Sequence, residues 1–388
     1  MANHRDEEWG EEKSGRNSGS GCGKTKCFLF LILLVGGSAG ALVGFFGVDE
    51  IKTWFGVETN SSTGTGDNGS GGGTDTGGGT DTGGGTDTGG GGGNTVDPNA
   101  CNGLLSNCDM KVNELLFASV HNSNHHEAPF PNNEKPLEEA LDAGYRALMI
   151  DVCQCPVEIG GVEIMETVFC HGSCVFGRRD PEEVFTNINT FLNDNPKEVL
   201  IFNFELSDGN TGVRPTPREL WGVIPDVGLK SKTYNYNGSE WPTLQNMLDD
   251  GKQVIMFKHS GMTCTSADAG VTGCVKRIAE FHEYAVETKY EFKDVTEVEN
   301  TSFSCSGDRG TQSTKDFYAI NNFVPTQFGW PSKSASETVN SKAFLEQRLQ
   351  DCETVEGLKP NIINVDFWDT GDVVDVVNEV NQARASQN

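Results

Sequence analysis

The chain has 388 residues, with 29 Lys or Arg against 56 Asp or Glu, a formal net charge of −27 at pH 7. That balance argues against nucleic acid and against strongly anionic surfaces as partners. Much of the first quarter is too glycine-rich to build a core; about 290 residues remain, enough for one large α/β domain.

Residues 1–26 read as a polar cytoplasmic tail. Cys27–Val48 (CFLFLILLVGGSAGALVGFFGV) is uncharged and apolar over 22 residues, the length that spans a bilayer as a helix. Lys24 and Lys26 precede it; Asp49 and Glu50 follow. The positive-inside tendency makes it a single-pass signal anchor with the remainder extracellular or lumenal. A cleaved signal peptide, cut within GGSAGA and giving a secreted protein, is the alternative. A buried core helix fits poorly, because residues 49–100 offer nothing to pack against. That stretch is a Gly/Thr/Asp-rich linker with GGGTDT repeated from Gly71, and it reads as flexible coil.

From residue 101 to 388, strand and helix signals alternate. Leu115–His121 reads as a strand. PLEEALDAG has helical spacing and ends on Gly144. Tyr145–Asp151 is the next strand and Val168–His171 a third. Asp180 followed by Pro181 opens a helix with an N-cap and a first-turn proline. Glu198–Glu205 and KQVIMFKHS are strands on either side of the short helix PTLQNMLDDG. VKRIAEFHEYAVE reads as helix, FYAINNFVP as strand, KAFLEQRLQDC as helix, NIINVDFWD as strand and DVVDVVNEVNQARA as the closing helix. Seven strands in this order predict a parallel sheet closed as a TIM-type (β/α) barrel, somewhat irregular.

Polar residues gather where the strands end. His121 and His171 each finish an apolar run, as do Asp151 and Asp366. A parallel barrel brings its strand ends to one mouth. There, two histidines can act as general base and general acid across one scissile bond. Strand alternation puts Asp151 on a face with Met149, and Glu205 on a face with Asn203, so both acids can point into the mouth. His125, His126, His259 and His282 read as solvated or structural.

Of 12 cysteines, ten follow the apolar segment, an even set suited to an oxidising compartment. Cys101 with Cys108 clips the domain's edge; Cys264 with Cys274, and Cys305 with Cys352, are expected pairs. Cys153, Cys155, Cys170 and Cys174 flank the proposed site with connectivity open, and a zinc site is their other reading. Sequons at Asn60, Asn68, Asn237 and Asn300 would be glycosylated under the anchored topology.

At CNGLLSNC, ASVHNS, LDAGYRALMIDV, FCHGSC, FLNDNPKEVLIFNFE, WPTLQNMLDDGKQVIMF and NIINVDFW, taken in order, the chain resembles the X-domain of phosphatidylinositol-specific phospholipases C. It is most similar to the secreted or anchored X-domain-like phosphodiesterases of plants and fungi. The resemblance implies a TIM-type barrel that cleaves a lipid or related phosphodiester by internal attack of a neighbouring hydroxyl. His121 would take the hydroxyl proton, His171 would protonate the leaving alkoxide, and Asp366 would orient His121. An arginine used by bacterial relatives is replaced by Cys153. Calcium-dependent relatives use Asn, Glu, Asp and Glu; Asn122, Asp151 and Glu205 match three of these, and Met149 stands at the other. The resemblance therefore implies a divalent cation, Ca²⁺ or Mg²⁺, on oxygen ligands. Lys258 at a strand end, or Arg178 after the second histidine, would supply positive charge to phosphate. Two other functions fit the pattern less fully. One is a glycerophosphodiesterase or sphingomyelinase-D-like enzyme, whose Glu–x–Asp pattern Met149 breaks. The other is a catalytically inactive barrel kept as a surface binding module.

Overall fold

The computed structural model of the protein describes residues 97–387, apart from 227, 237, 239, 260–276 and 311–315. The proposed tail, membrane segment and linker lie outside the described residues, as do Cys264, Cys274 and the sequons at Asn60, Asn68 and Asn237. No helix among the described residues is long and apolar enough to cross a membrane.

Eleven strands form one curled α/β sheet. They are β1 (Phe117–Val120), β2 (Ala147–Ile159), β3 (Val162–His171), β4 (Ser173–Arg179), β5 (Leu200–Ser207) and β6 (Val254–His259). β7 (Ala279–Glu280), β8 (Ala285–Thr288), β9 (Gly307–Arg309), β10 (Phe317–Asn321) and β11 (Ile362–Val365) complete it. Parallel ladders run β7–β6–β5–β2–β1–β11–β10–β8. The strands thus follow each other around a ring in chain order, with the last paired to the first. Among the described residues no ladder joins β7 to β8, so the barrel has a seam there.

Two expectations are corrected. VKRIAEFHEYAVE is not one helix: Ala279–Glu280 and Ala285–Thr288 are strands, and only the turn Phe281–Tyr284 between them is helical. Runs this short carry no decisive periodicity, and pairing with β6 and β10 wins. Val168–His171 is not a parallel barrel strand either. β2 continues past Asp151, turns at Gly160 and Gly161, and returns as β3 in antiparallel register, with Val152 opposite Phe169. His171 reaches the mouth on this hairpin. The cysteine quartet clamps it: Cys153 pairs with Cys170 and Cys155 with Cys174, so their thiols are not available to zinc. Cys101–Cys108 and Cys305–Cys352 form as expected.

Alternation decides what lies inside. Leu148, Ile150, Phe202, Phe204, Met256, Ile320 and Val365 face outward into the layer under the helices. There they meet Val184, Phe185, Ile188 and Leu192, the buried stripe of the helix Pro181–Asp194. Asp180 caps that helix by accepting from the Glu182 N–H, as its Asp-Pro start predicts. The opposite parity faces the barrel axis. At its base this inner face is apolar: Phe117, Ile201, Phe257, Phe317 and Trp241 belong to one buried cluster, with Phe257 and Phe317 against the Trp241 ring. At the carboxyl ends it turns polar: His121, Asp151, Glu205, His259, Glu287, Asn321 and Asp366 all share this parity.

Candidate active site

His121 follows β1 at a turn where Asn122 takes a left-handed backbone, φ 45°, which asparagine tolerates better than most residues. Asp366 follows β11 beside it. His121 Nδ1 lies 2.8 Å from Asp366 Oδ1, and both residues are buried. A carboxylate only accepts, so the proton sits on Nδ1 and His121 Nε2 is the lone-pair atom. The Tyr290 hydroxyl, 2.8 Å away, donates to it. Phe323 stacks flat on the imidazole at 4.0 Å between centroids and fixes the ring plane.

His171 enters from the hairpin. Its Nε2–H donates to Asn132 Oδ1 at 2.8 Å. The other end of the same amide, Asn132 Nδ2, donates to Asp366 Oδ1 at 2.9 Å and lies 3.3 Å from His121 Nδ1. One asparagine therefore spans the two histidines and holds them within reach of one small group. Asn132 is itself locked: its carbonyl accepts from the Phe367 N–H, and the adjacent Asn133 donates to the His121 carbonyl at 2.7 Å.

The electrostatics separate the two rings. Burial pulls His121 down, but Asp366, with Asp151 and Glu205 beyond it, more than offsets this and leaves its pKa raised. Burial, together with the neighbouring His121, lowers that of His171. Asp151 and Glu205 are register partners on adjacent strands. Burial and the Glu205 charge push Asp151 up to about 7, although it accepts from the Gly172 N–H at 2.9 Å.

These side chains open on a cavity of about 700 Å³. His121, Asn122, Asn132, His171 and Asp366 line it, with Tyr290, Phe323 and Lys289 on another wall. Asp151 and Glu205 lie on the same inner face but are not among the lining residues. The amide nitrogen of Asn122 is turned to Asn132 Oδ1 at 3.0 Å.

Two expected phosphate contacts are not brought there. Lys258 pairs in register with Phe204, on the outward face, and its ammonium makes an ion pair with Glu280. One residue's shift in a strand changes the face, and it is His259 that points inward. Arg178 donates to the carbonyls of Cys174 and Pro156, tying β4 to the hairpin. Two lysines do line the cavity: Lys289, over the Phe303 ring at 4.9 Å, and Lys293, which is paired with Glu297. Sequence reasoning missed Lys289 along with Asn132, Tyr290 and Phe323. Asn132 carries no periodic signal; Tyr290 and Lys289 follow β8, which was read as helix. Of the remaining histidines, His125 is buried against Gly177, and His126 lies beside Glu127.

The sequence model of the PI-PLC X family matches residues 107–381. PI-PLC X domain-containing protein 1 of Arthroderma benhamiae is 26% identical over 297 residues, covering 71% of this chain and 87% of that protein. Among solved structures, the phosphatidylinositol-specific phospholipase C of Listeria monocytogenes aligns at 15% identity and TM-score 0.46, over 71% of this chain and 94% of that one. That of Staphylococcus aureus aligns at 14% and 0.49, over 73% and 97%. A calcium-dependent phosphoinositol-specific phospholipase C from Pseudomonas sp. aligns at 12% and 0.36, over 67% and 91%. From residue 107 to 381, over most of its length, the chain belongs to the PI-PLC X family.

Proposed function

We propose that this protein is a phosphoric diester hydrolase acting on an inositol phospholipid, a glycosylated inositol lipid or a related phosphodiester. The observation that carries this reading is the Asn132 bridge, which sets a histidine acceptor and a histidine donor on one cavity wall. His121 Nε2 removes the proton of a hydroxyl next to the phosphate, that oxygen attacks phosphorus, and His171 Nε2–H protonates the departing alkoxide. The product is a cyclic phosphate, because internal attack outpaces free water. Asp366 stabilises the imidazolium formed on His121. Lys289 offsets phosphate charge in place of the arginine that Cys153, held in a disulfide, cannot supply.

A lipid substrate suits the rim. Phe130 stacks on Trp330 at 4.2 Å, and Phe130, Trp330, Phe328 and Phe303 are all exposed around the mouth. Clustered exposed aromatics mark an interaction surface.

The residues present also fit a divalent cation. Asp151 and Glu205 stand together on one face, and Asn203 Oδ1, on that same face, is a buried acceptor without a hydrogen-bond partner among the described residues. These are the oxygen donors a hard cation takes, and it would supply Lewis-acid offset of phosphoryl charge. Met149 leaves the donor set short, so the cation is an aid to the histidine pair.

The test is a panel of inositol lipids, glycosylated inositol lipids and glycerophosphodiesters offered to the purified full-length protein, with and without chelator. Early products are read by phosphorus NMR. A cyclic phosphate, with only partial loss under chelator, is expected. Acyclic products alone would favour the glycerophosphodiesterase-like chemistry, and no turnover of any substrate would favour a binding module.

Asn132→Leu is expected to lower kcat at least about tenfold, since loss of the bridge frees His171 from near-attack geometry. Activity equal to wild type in a folded variant would show that the bridge does not matter.

For location we propose that Cys27–Val48 anchors the barrel on the non-cytoplasmic side. Protease protection of the barrel in sealed microsomes, with glycan on the exposed Asn300, is the expected result. A soluble mature chain starting after GGSAGA would replace the anchor with a signal peptide.

A further inference from the structure

His259, His282 and Glu287 form a second cluster of ligating side chains, none of which lines the cavity. His259 ends β6, His282 sits in the single helical turn before β8, and Glu287 is on β8. One atom from each lies within 4.8 Å of the other two. Glu287 Oε2 is 2.9 Å from His282 Nε2 and 3.8 Å from His259 Nδ1. Ligands bonded to zinc at about 2.0–2.1 Å in a tetrahedron stand roughly 3.4 Å apart. The triangle is therefore of the size one ion requires.

A histidine–carboxylate hydrogen bond explains only half of the arrangement. His259 is 2% exposed, and neither of its ring nitrogens has a hydrogen-bond partner among the described residues. An unpaired buried polar group is destabilising and calls for a partner. Phe281, stacked on the ring at 4.9 Å and 13°, holds it in place. The carboxylate is sorted to match: Arg309 and Asn321 donate to Oε1 at 2.8 and 2.9 Å, which leaves Oε2 to the two histidines. Burial raises Glu287, but His259, His282 and Arg309 more than offset it and hold it at about 2. Burial lowers His259 to about 4.

The cluster also sits where the backbone leaves a gap. β7 and β8 are the neighbouring pair in the ring without a ladder among the described residues. His259, on the strand paired to β7, and Glu287, on β8, are the inward residues on its two sides.

We propose that His259, His282 and Glu287 bind one zinc ion that ties β6 and β7 to β8 across the barrel seam. Two imidazoles and one carboxylate leave a fourth position for water.

The test uses the full-length protein, stripped with chelator and reloaded with zinc or cobalt(II). The wild type is expected to retain one zinc per chain through gel filtration. Its Tm should rise by about 5 °C when free zinc is 100-fold above Kd. Cobalt should give visible absorption of the tetrahedral type. His282→Ala, at a partly exposed site, should lose all three signals, whereas Asp151→Asn should keep them. A wild type that retains no zinc and shows no cobalt band overturns the site, whatever the variants do. Equal retention by His282→Ala, or loss confined to Asp151→Asn, places the ion elsewhere and overturns it equally.

Discussion

Replacing either His121 or His171 by alanine is expected to cost about 10²- to 10⁴-fold in hydrolysis of the best panel substrate, the usual loss for a proton-transfer group. Under the proposed mechanism the two act on one bond at once: His121 Nε2, which accepts from the Tyr290 hydroxyl at rest, takes one proton and His171 Nε2 gives the other, with Asn132 between the two rings. Losing either leaves the other without a proton to receive or replace. The double variant should therefore fall far short of the product of the single losses, since both remove the same transition state. Stability should change less. His171 is only half-buried, and its Nδ1 has no hydrogen-bond partner among the described residues. His121 leaves a space beneath Phe323 that thermal unfolding will report. Full activity in either folded variant would leave the protein as a binding module.

Asp366→Asn is expected to lower kcat by a comparable factor and, in addition, to move the pH profile. Asparagine fits the space but carries no charge, and its amide no longer holds the proton on His121 Nδ1. In the wild type, His121 stands above the ordinary histidine value and His171 below it. Under the proposed mechanism turnover needs His121 neutral and His171 protonated. kcat/KM should then be a bell whose acid limb reports the lower value, that of His171, and whose alkaline limb reports the higher, that of His121. Removing the carboxylate lets burial dominate at His121, so its pKa falls. The alkaline limb should shift to lower pH and the bell should narrow, with the acid limb moving less. An alkaline limb unmoved in Asp366→Asn would mean that another group sets it.

The hairpin and the seam show where sequence reading and structure part. A strand that alternates between two faces announces itself, and Asp151 and Glu205, at the ends of β2 and β5, share the inward faces with Met149 and Asn203 as expected. His171 was placed beside His121 for an incomplete reason: it arrives on an antiparallel return strand, not on a barrel strand. The antiparallel partner of β2 is defined by a hairpin ladder and by the Cys153–Cys170 link across 17 residues, neither of which shows in the periodicity of the two apolar runs. Lys258 failed as a phosphate contact by one position of register. Its neighbour His259, which reads as a bland histidine, is the one that faces inward.

The sequence by itself determined the parallel α/β class, the order of most strands, and the histidines and acids that stand at their carboxyl ends. These follow from local rules, namely periodicity, helix caps and polar residues at the close of apolar runs. Only the tertiary structure decided that Asn132 bridges the two histidines, that Tyr290 and Lys289 face the cavity, and that the barrel opens between β7 and β8. Each of those is a contact between distant segments. Its energy comes from geometry assembled across the fold, and single residues such as Asn132 or Lys289 carry no local pattern that would reveal it.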